Sequence, residues 1–430
     1  MAFWHRANEK LGKEGRWFLS SMAAYGSAEF LVRIVRIAAV IVIARAVSPE
    51  LMGIAALALS LFELTRVLAN SGIGQQIILA EDSVLTATAN TAHRLFWLWC
   101  LAVGAIQLFV SAILFYAFDQ SDAAMMLAML SGVYLFMPGG LVQVFLLMRD
   151  QKMSVTARIG AIQTMADHFL TMVLVTIWPS AWAIVLPKLL TAPIWLIAVR
   201  KAKHWQPDIS AGNVPARGFF KFSVGVLGSE LLVALRTQAD KLIIGGLLGV
   251  KALGIYYFAF NAGLGITTSI VTAFSTILFS YICREADHCR RFNRYRQAVF
   301  LGLAIFLPII LAQFFLAPIY VPILFGDQWI DAVPLVSILA LAGVPIFAAS
   351  ATTAWLRAER NTGFDLVMTT FATITALVGL TLGAKFGLLE ATTAYVTGLS
   401  LSLLPLSILV YLGARTKASM PLSQPKELSI

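Results

Sequence analysis

Charge is the first scarcity in this 430-residue chain. Only 13% of it is Asp, Glu, Lys or Arg, against 59% hydrophobic residues and a mean hydropathy of +0.82. A soluble globular chain carries roughly 25% charged residues, so that class is excluded. Cysteine is nearly absent as well. Cys100, Cys283 and Cys289 cannot build a disulfide scaffold, and no CxxC pair or second ligand set accompanies His288, which lies between the last two. They read as reduced cytoplasmic thiols. The phosphate-loop pattern GxxxxGKS/T is missing, which excludes an intrinsic ATPase, and neither HExxH nor GxSxG occurs. Enzymatic chemistry has no evident home.

What the chain does have is apolar runs that repeatedly exceed the ~20 residues an α-helix needs to cross a bilayer. They are continuous and not alternating, so the spans are helical and not barrel strands. Hydropathy places them near residues 20–45, 51–76, 94–118, 122–148, 157–178 and 180–199, then 219–246, 252–280, 296–325, 331–356, 363–385 and 388–412. The first run continues for about 26 residues from Ser20, behind the basic stretch His5, Arg6, Lys10, Lys13 and Arg16. It is too long for a signal-peptide core and reads as a permanent span. The expected fold is an all-α membrane protein of about twelve transmembrane helices.

Of the 32 lysines and arginines, only Arg45, Lys251 and Lys385 fall in turns after odd-numbered spans. Six lie inside spans, and the rest cluster at the N-terminus, in the turns after even-numbered spans and in the tail. The positive-inside rule then puts both termini in the cytoplasm of a multi-pass protein of the bacterial inner membrane. The formal net charge of +10 reflects anchoring at the inner leaflet and membrane lipid, with no nucleic-acid partner. Several outward turns, such as 118–122 and 178–180, are bare reversals. That argues against membrane glycosyltransferases and polymerases, which need large outward loops.

A repeat runs through the chain at an offset of 201 residues: AEFLV at 28–32 against SELLV at 229–233, and Gly53-Ile54 against Gly254-Ile255. It divides the chain into a six-helix lobe at 1–203, a cytoplasmic linker at 204–218, a second six-helix lobe at 219–415 and a cytoplasmic tail at 416–430. Six spans per half is an even number, so the repeats share one membrane orientation and are related by an axis along the membrane normal.

Ionisable residues inside spans are costly and mark functional positions. Glu29, Arg33 and Arg36 share one face of the first span, Glu63 and Arg66 lie three apart on the second, and Glu230, Arg236, Asp240 and Lys241 lie on the seventh. A guanidinium grips phosphate oxygens in a bidentate fork, so Arg33, Arg36, Arg66 and Arg236 suit a pyrophosphate. The same spacing also suits structural ion pairs with Glu29, Glu63, Glu230 and Asp240, and both readings stand. Asp167 and His168 on the fifth span are candidates for H+ or Na+ coupling, as are Asp240 and Lys241; no other cofactor is expected. Lys188, next to Pro187, reads as snorkelling outward. Trp97, Trp99, Trp178, Trp182 and Trp329, like Trp4 and Trp17, read as an interfacial belt at span ends.

Three stretches resemble a known family. ARAVSPELMGIAA at 44–56, DKLIIGGLLGVKALGIYYFA at 240–259 and YVPILFGDQW at 320–329 are similar to polysaccharide-transport (Wzx-type) oligosaccharide flippases of the multidrug/oligosaccharidyl-lipid/polysaccharide exporter superfamily. The resemblance implies two six-helix bundles around a V-shaped central cavity. It implies a cargo, undecaprenyl-pyrophosphate-linked oligosaccharide, moved from inner to outer leaflet by alternating access. It also implies a polysaccharide polymerase and a chain-length regulator as partners. The competing readings are a cation-coupled multidrug extruder of the same fold, whose cavity should be acidic, and a non-transporting scaffold of a polysaccharide assembly complex.

Overall fold

The computed structural model describes residues 32–69, 72–285 and 287–419, and each of the twelve expected spans is built around a helix there. These are α1 (32–46), α2 (Pro49–Leu68), α3 (Leu85–Tyr116), α4 (Ser121–Phe136 and Pro138–Arg149), α5 (Met153–Ile177) and α6 (Ala181–Ala202). After them come α7 (217–248), α8 (250–283), α9 (His288–Phe325), α10 (333–358), α11 (Thr362–Gly383) and α12 (Leu388–Ser419). Among the described residues nine helices are long and apolar enough to cross a membrane, or ten if the bent α4 is one span. The shortfall from twelve lies in the first expected span, of which only residues 32–45 are described, and in α7 and α8, which run together.

Local chemistry sets several boundaries. The Ser48 side chain accepts the Leu51 N–H at 3.4 Å, and Pro49 opens α2 at a position that needs no donor. Pro138, which has no N–H, sits where α4 bends by 53°. Next to it, Arg200 on α6 donates to the Gly139 carbonyl at 3.0 Å. Between α7 and α8 the chain turns at Gly249, at φ 85° and ψ 173°, a conformation that only glycine adopts readily. A five-residue π-turn, Phe260–Leu264, then interrupts α8. Threonine hydroxyls satisfy themselves within their own helices: Thr373, Thr381, Thr392 and Thr397 each donate to the carbonyl four residues back.

The residues fall into two compact units. One holds Leu31–Phe258 with Pro322–Ile330; the other holds Ala259–Val321 with the chain from Asp331 onward. In the first, α2 and α3 pack on α4, and α5 packs on α6. Its core includes Phe62, Phe96, Met126 and Leu127. In the second, α11 packs on α12 and α8 on α10, around Phe274, Phe306, Phe347 and Trp355. Large apolar side chains such as Phe109, Phe315 and Leu401 are two-thirds exposed or more. In a multi-pass membrane protein such side chains meet lipid, and no helix here needs an apolar neighbour on every face.

The three family-like stretches converge inside the first unit. Gly53 on α2 and Gly254 on α8, equivalent positions of the repeat, pack backbone against backbone. A Cβ at Gly53 would lie 1.9 Å from the Val250 oxygen, and one at Gly254 would lie 1.8 Å from the Pro49 oxygen. Just before this crossing, Arg45 donates from Nε to Leu324 O at 2.8 Å and from Nη2 to Ile323 O at 2.6 Å. It thereby caps carbonyls in the last turn of α9, which have no partner within the helix. Trp329 corrects the belt expectation. It is 1% exposed, donates from its indole nitrogen to Ala44 O at 2.7 Å, and stacks on Phe258 with ring centroids 4.0 Å apart. Trp178, half exposed at the end of α5, keeps the belt-like position.

The polar segment 204–218 is held against α3. The Asn90 amide donates to Asp208 O at 2.6 Å and Gly212 O at 3.0 Å, and its oxygen accepts the Asp208 N–H at 3.1 Å. Thr91 exchanges two hydrogen bonds with the Val214 backbone, at 3.1 and 2.9 Å. Hydrogen bonds from Ser210 hold the Asp208 carboxyl below the usual carboxylate range. Before the segment begins, Lys203 bonds Asp150 at 2.7 Å and lowers that carboxyl in the same way.

Candidate functional site

Four helices of the first unit bring charged side chains together. Glu63 and Arg66 lie three apart on α2, and Glu63 Oε2 accepts Arg66 Nε at 2.9 Å and Nη2 at 2.7 Å. The other Glu63 oxygen lies 4.0 Å from Lys188 Nζ on α6. Lys188 in turn donates to Asp167 Oδ2 on α5 at 3.5 Å. The result is a chain of alternating charge, Arg66–Glu63–Lys188–Asp167, drawn from three helices. His168 adjoins it, close enough to Arg36, Asp167 and Lys188 to feel all three charges. Arg33 and Arg36, one turn apart on α1, are half-buried and engaged in polar interactions.

Among the described residues, Arg33, Arg36, Arg66 and Lys188 contribute four cations, and Glu63 and Asp167 two carboxylates. Arg66 is half exposed, whereas Asp167 keeps only 15% of its side-chain surface. Asp167 Oδ1 is buried and has no hydrogen-bond partner among the described residues. A carboxylate oxygen left so in a low-dielectric setting is costly, which makes Asp167 the least settled member of the group. One turn of α2 carries the group into a buried neutral network: Thr65 donates to Gln107 Oε1 at 2.6 Å, Tyr134 to the same oxygen at 3.1 Å, and Gln107 to Leu127 O at 2.7 Å.

Several expected residues behave differently. Glu29 lies outside the described residues. The pairing that spacing suggests between Arg236 and Asp240 is not made. Asp240, 2% exposed, accepts from its neighbour Lys241 at 3.2 Å and from the Tyr256 hydroxyl at 2.9 Å, which ties α7 to α8. Arg236 is exposed and Glu230 half-buried. Lys188 does not snorkel: it reaches sideways to two carboxylates. The signal was available, because Lys188 is the eighth residue of α6, about 10 Å from its first turn at 1.5 Å per residue. Snorkelling is easy only near a helix end. The Thr65–Gln107–Tyr134 network left no sequence signal, since neutral polar residues inside a span show no partner until the helices are packed.

In architecture the chain is similar to two solved transporters. The lipid II flippase MurJ, in an inward closed conformation, matches with a TM-score of 0.73 at 14% identity, over 92% of this chain and 90% of that one. An inward-facing multidrug resistance MATE family transporter of the MOP superfamily matches with a TM-score of 0.66 at 15% identity, over 90% of this chain and 94% of that one. The class is therefore a multi-pass, all-helical membrane protein with the fold of MOP-superfamily transporters.

The family follows from the sequence comparison. The family described as polysaccharide biosynthesis protein matches residues 42–334, about two-thirds of the chain, and this protein belongs to it. Among curated relatives, the lipopolysaccharide biosynthesis protein WzxC of Escherichia coli is 21% identical over 80% of this chain and 70% of its own length. The succinoglycan biosynthesis transport protein ExoT of Rhizobium meliloti is 24% identical over 70% of this chain, and the teichuronic acid biosynthesis protein TuaB of Bacillus subtilis is 24% identical over 65%. The matches span 61% and 58% of those two proteins. The polysaccharide-transport family expected from the three motifs is the family found.

Proposed function

We propose that this protein is a flippase that carries an undecaprenyl-pyrophosphate-linked oligosaccharide from the inner to the outer leaflet of a bacterial inner membrane. Its product feeds exopolysaccharide, capsule or O-antigen synthesis. Both termini are cytoplasmic, 1–203 and 219–415 act as the two lobes of an alternating-access cycle, and 204–218 joins them. The protein itself makes and breaks no covalent bond. A polymerase and a chain-length regulator act on the delivered unit.

What supports this reading is that, among the described residues, α1, α2, α5 and α6 carry Arg33, Arg36, Arg66 and Lys188, with Arg66 and Lys188 set against Glu63 and Asp167. A pyrophosphate and its sugars cannot cross ~30 Å of hydrocarbon with their hydration stripped and nothing in its place. Arg33, Arg36, Arg66 and Lys188 supply that replacement. Glu63 and Asp167 occupy Arg66 and Lys188 while the site waits, so cargo phosphate oxygens exchange with carboxylate oxygens and no cation is ever left bare. Glu29, Glu230 and Arg236 belong to the same proposal as further contacts on the first and seventh spans. Coupling to H+ or Na+ falls to Asp167 and His168, where a buried carboxylate oxygen stands open to a proton or an ion. Asp240 and Lys241 have a weaker claim to coupling, because both Asp240 oxygens are already taken.

The test belongs in the source cell. Depleting the protein should leave a completed lipid-linked unit on the inner leaflet, shielded from a membrane-impermeant glycosidase, with surface polysaccharide lost. Arg66→Ala or Lys188→Ala at normal protein level should reproduce the block. Intact surface polysaccharide and unchanged lipid intermediates after depletion would overturn the proposal in favour of an extruder.

A further inference from the structure

The second unit contains a cavity that the transport reading does not use. Its volume is about 580 Å³, and it is lined by Phe279, Cys283, Arg291, Arg357, Glu359 and Arg360, with Ala358 between them. It lies where α8 ends, α9 begins and α10 turns into α11, among the turns whose basic residues indicate the inner leaflet.

Two of the three arginines are held in place. Arg291 donates to Glu285 O at 2.9 Å and to Glu359 Oε1 at 2.7 Å, and His288 Nε2 stands 3.7 Å from the other Glu359 oxygen. Arg357 donates from Nε to Asp365 Oδ2 at 3.2 Å. Asp365 is itself fixed by the Thr353 hydroxyl at 2.6 Å and keeps 10% of its side-chain surface, while Arg357 keeps 60%. The Nε bond holds the Arg357 side chain, whose terminal nitrogens make no hydrogen bond among the described residues. Arg360 makes no ion pair among the described residues, and its backbone sits in the left-handed region at φ 59°. Among the described residues, with Glu359 set against Arg291 and Asp365 against Arg357, the charge of Arg360 remains unmatched on the cavity wall. That balance suits a monoanion, and the two accessible guanidinium groups suit phosphate oxygens.

The walls are graded. Phe279, 40% exposed, precedes Cys283 by four residues on α8, so an apolar ring lies about 6 Å along the helix axis from the polar rim. A phosphate with an acyl chain attached satisfies both ends; a free phosphate satisfies only one. We propose that this cavity is a binding site for an anionic glycerophospholipid, with the phosphodiester on Arg357 and Arg360 and the acyl chain running past Phe279 along α8. The site belongs to the second unit alone and does not depend on the flippase proposal.

Cys283 provides a reporter, read in a Cys289→Ser background with purified protein in detergent and added phosphatidylglycerol or phosphatidylcholine. Phosphatidylglycerol should slow maleimide labelling of Cys283 roughly tenfold and be retained as one adduct in native mass spectrometry, while phosphatidylcholine does neither. Arg357→Ala removes a partner of Asp365 as well as a ligand, so Arg360→Asn is the decisive variant. Asn tolerates the left-handed backbone, and the Arg360 side chain makes no hydrogen bond or ion pair among the described residues. It should abolish both effects with the protein still monodisperse. Equal protection by the two lipids, equal protection by inorganic phosphate, or undiminished protection in Arg360→Asn would each overturn the proposal.

Discussion

The crossing of α2 and α8 and the charged group on α1, α2, α5 and α6 share a helix and are built on opposite terms. At the crossing, two backbones touch at Gly53 and Gly254, and Arg45 and Trp329 spend their donors on main-chain carbonyls. Little there depends on charge; nearly everything depends on shape. In the charged group the contacts are between long side chains, and what matters is their reach. Alteration of the first region should therefore damage folding, and alteration of the second should damage work done by a folded protein.

The largest expected effect follows from the first half of that contrast. Gly254→Val has no room, since even a Cβ would overlap the Pro49 oxygen. Overpacking costs about 1–3 kcal/mol where neighbours can shift, and backbone cannot shift as a side chain does. Monodisperse protein on size-exclusion chromatography should fall by an order of magnitude. Near-normal recovery would show that the crossing is looser than drawn.

Next comes Lys188→Ala, which leaves the Asp167 carboxylate without its cation. Because both groups keep some solvent contact, the expected destabilisation is about 2 kcal/mol, below the ~3–5 kcal/mol of a fully buried broken pair. Adding Asp167→Asn should return more than half of the lost thermal stability without restoring export, and that split sharpens the contrast. Export recovering together with stability would mean that Lys188 only holds helices.

Arg45→Ala should cost about 1–2 kcal/mol by stripping two carbonyl contacts from the end of α9, with Arg45→Lys intermediate in thermal unfolding. The smallest effect is expected at Asp150. Lys203 lowers its carboxyl below the usual range, so its contribution is complete at neutral pH and is lost only as pH falls through that lowered value. The pair is exposed, so Asp150→Asn should move the melting temperature by no more than about 1 °C at pH 7 and by nothing measurable in strong acid.

The same contrast explains what could be read in the sequence. Spans were legible because hydropathy is a local property, whereas the bend in α4 at Pro138 emerged only in the structure. The crossing was legible as strings, since backbone contact demands particular small residues at fixed positions; the repeat even paired Gly53 with Gly254 before their meeting was visible. The charged group was legible only as residue types at depth. Nothing in the order of residues says that Lys188 reaches Glu63 from 125 positions away, or that Asp240 takes Lys241 and Tyr256 in preference to Arg236. Trp329 misled for a related reason: position near a span end was taken for contact with the interface, and helix packing decided otherwise.

The grip of Asn90 and Thr91 on residues 208–214 carries a mechanical consequence. A slack tether would decouple whatever precedes it from whatever follows. This one is pinned to the flank of α3 at Asp208, Gly212 and Val214, between α6 and the start of α7. Inserting a few residues between Ala202 and Asp208 should leave these hydrogen bonds intact, whereas Asn90→Ala should free the segment without touching a single charge inside the membrane.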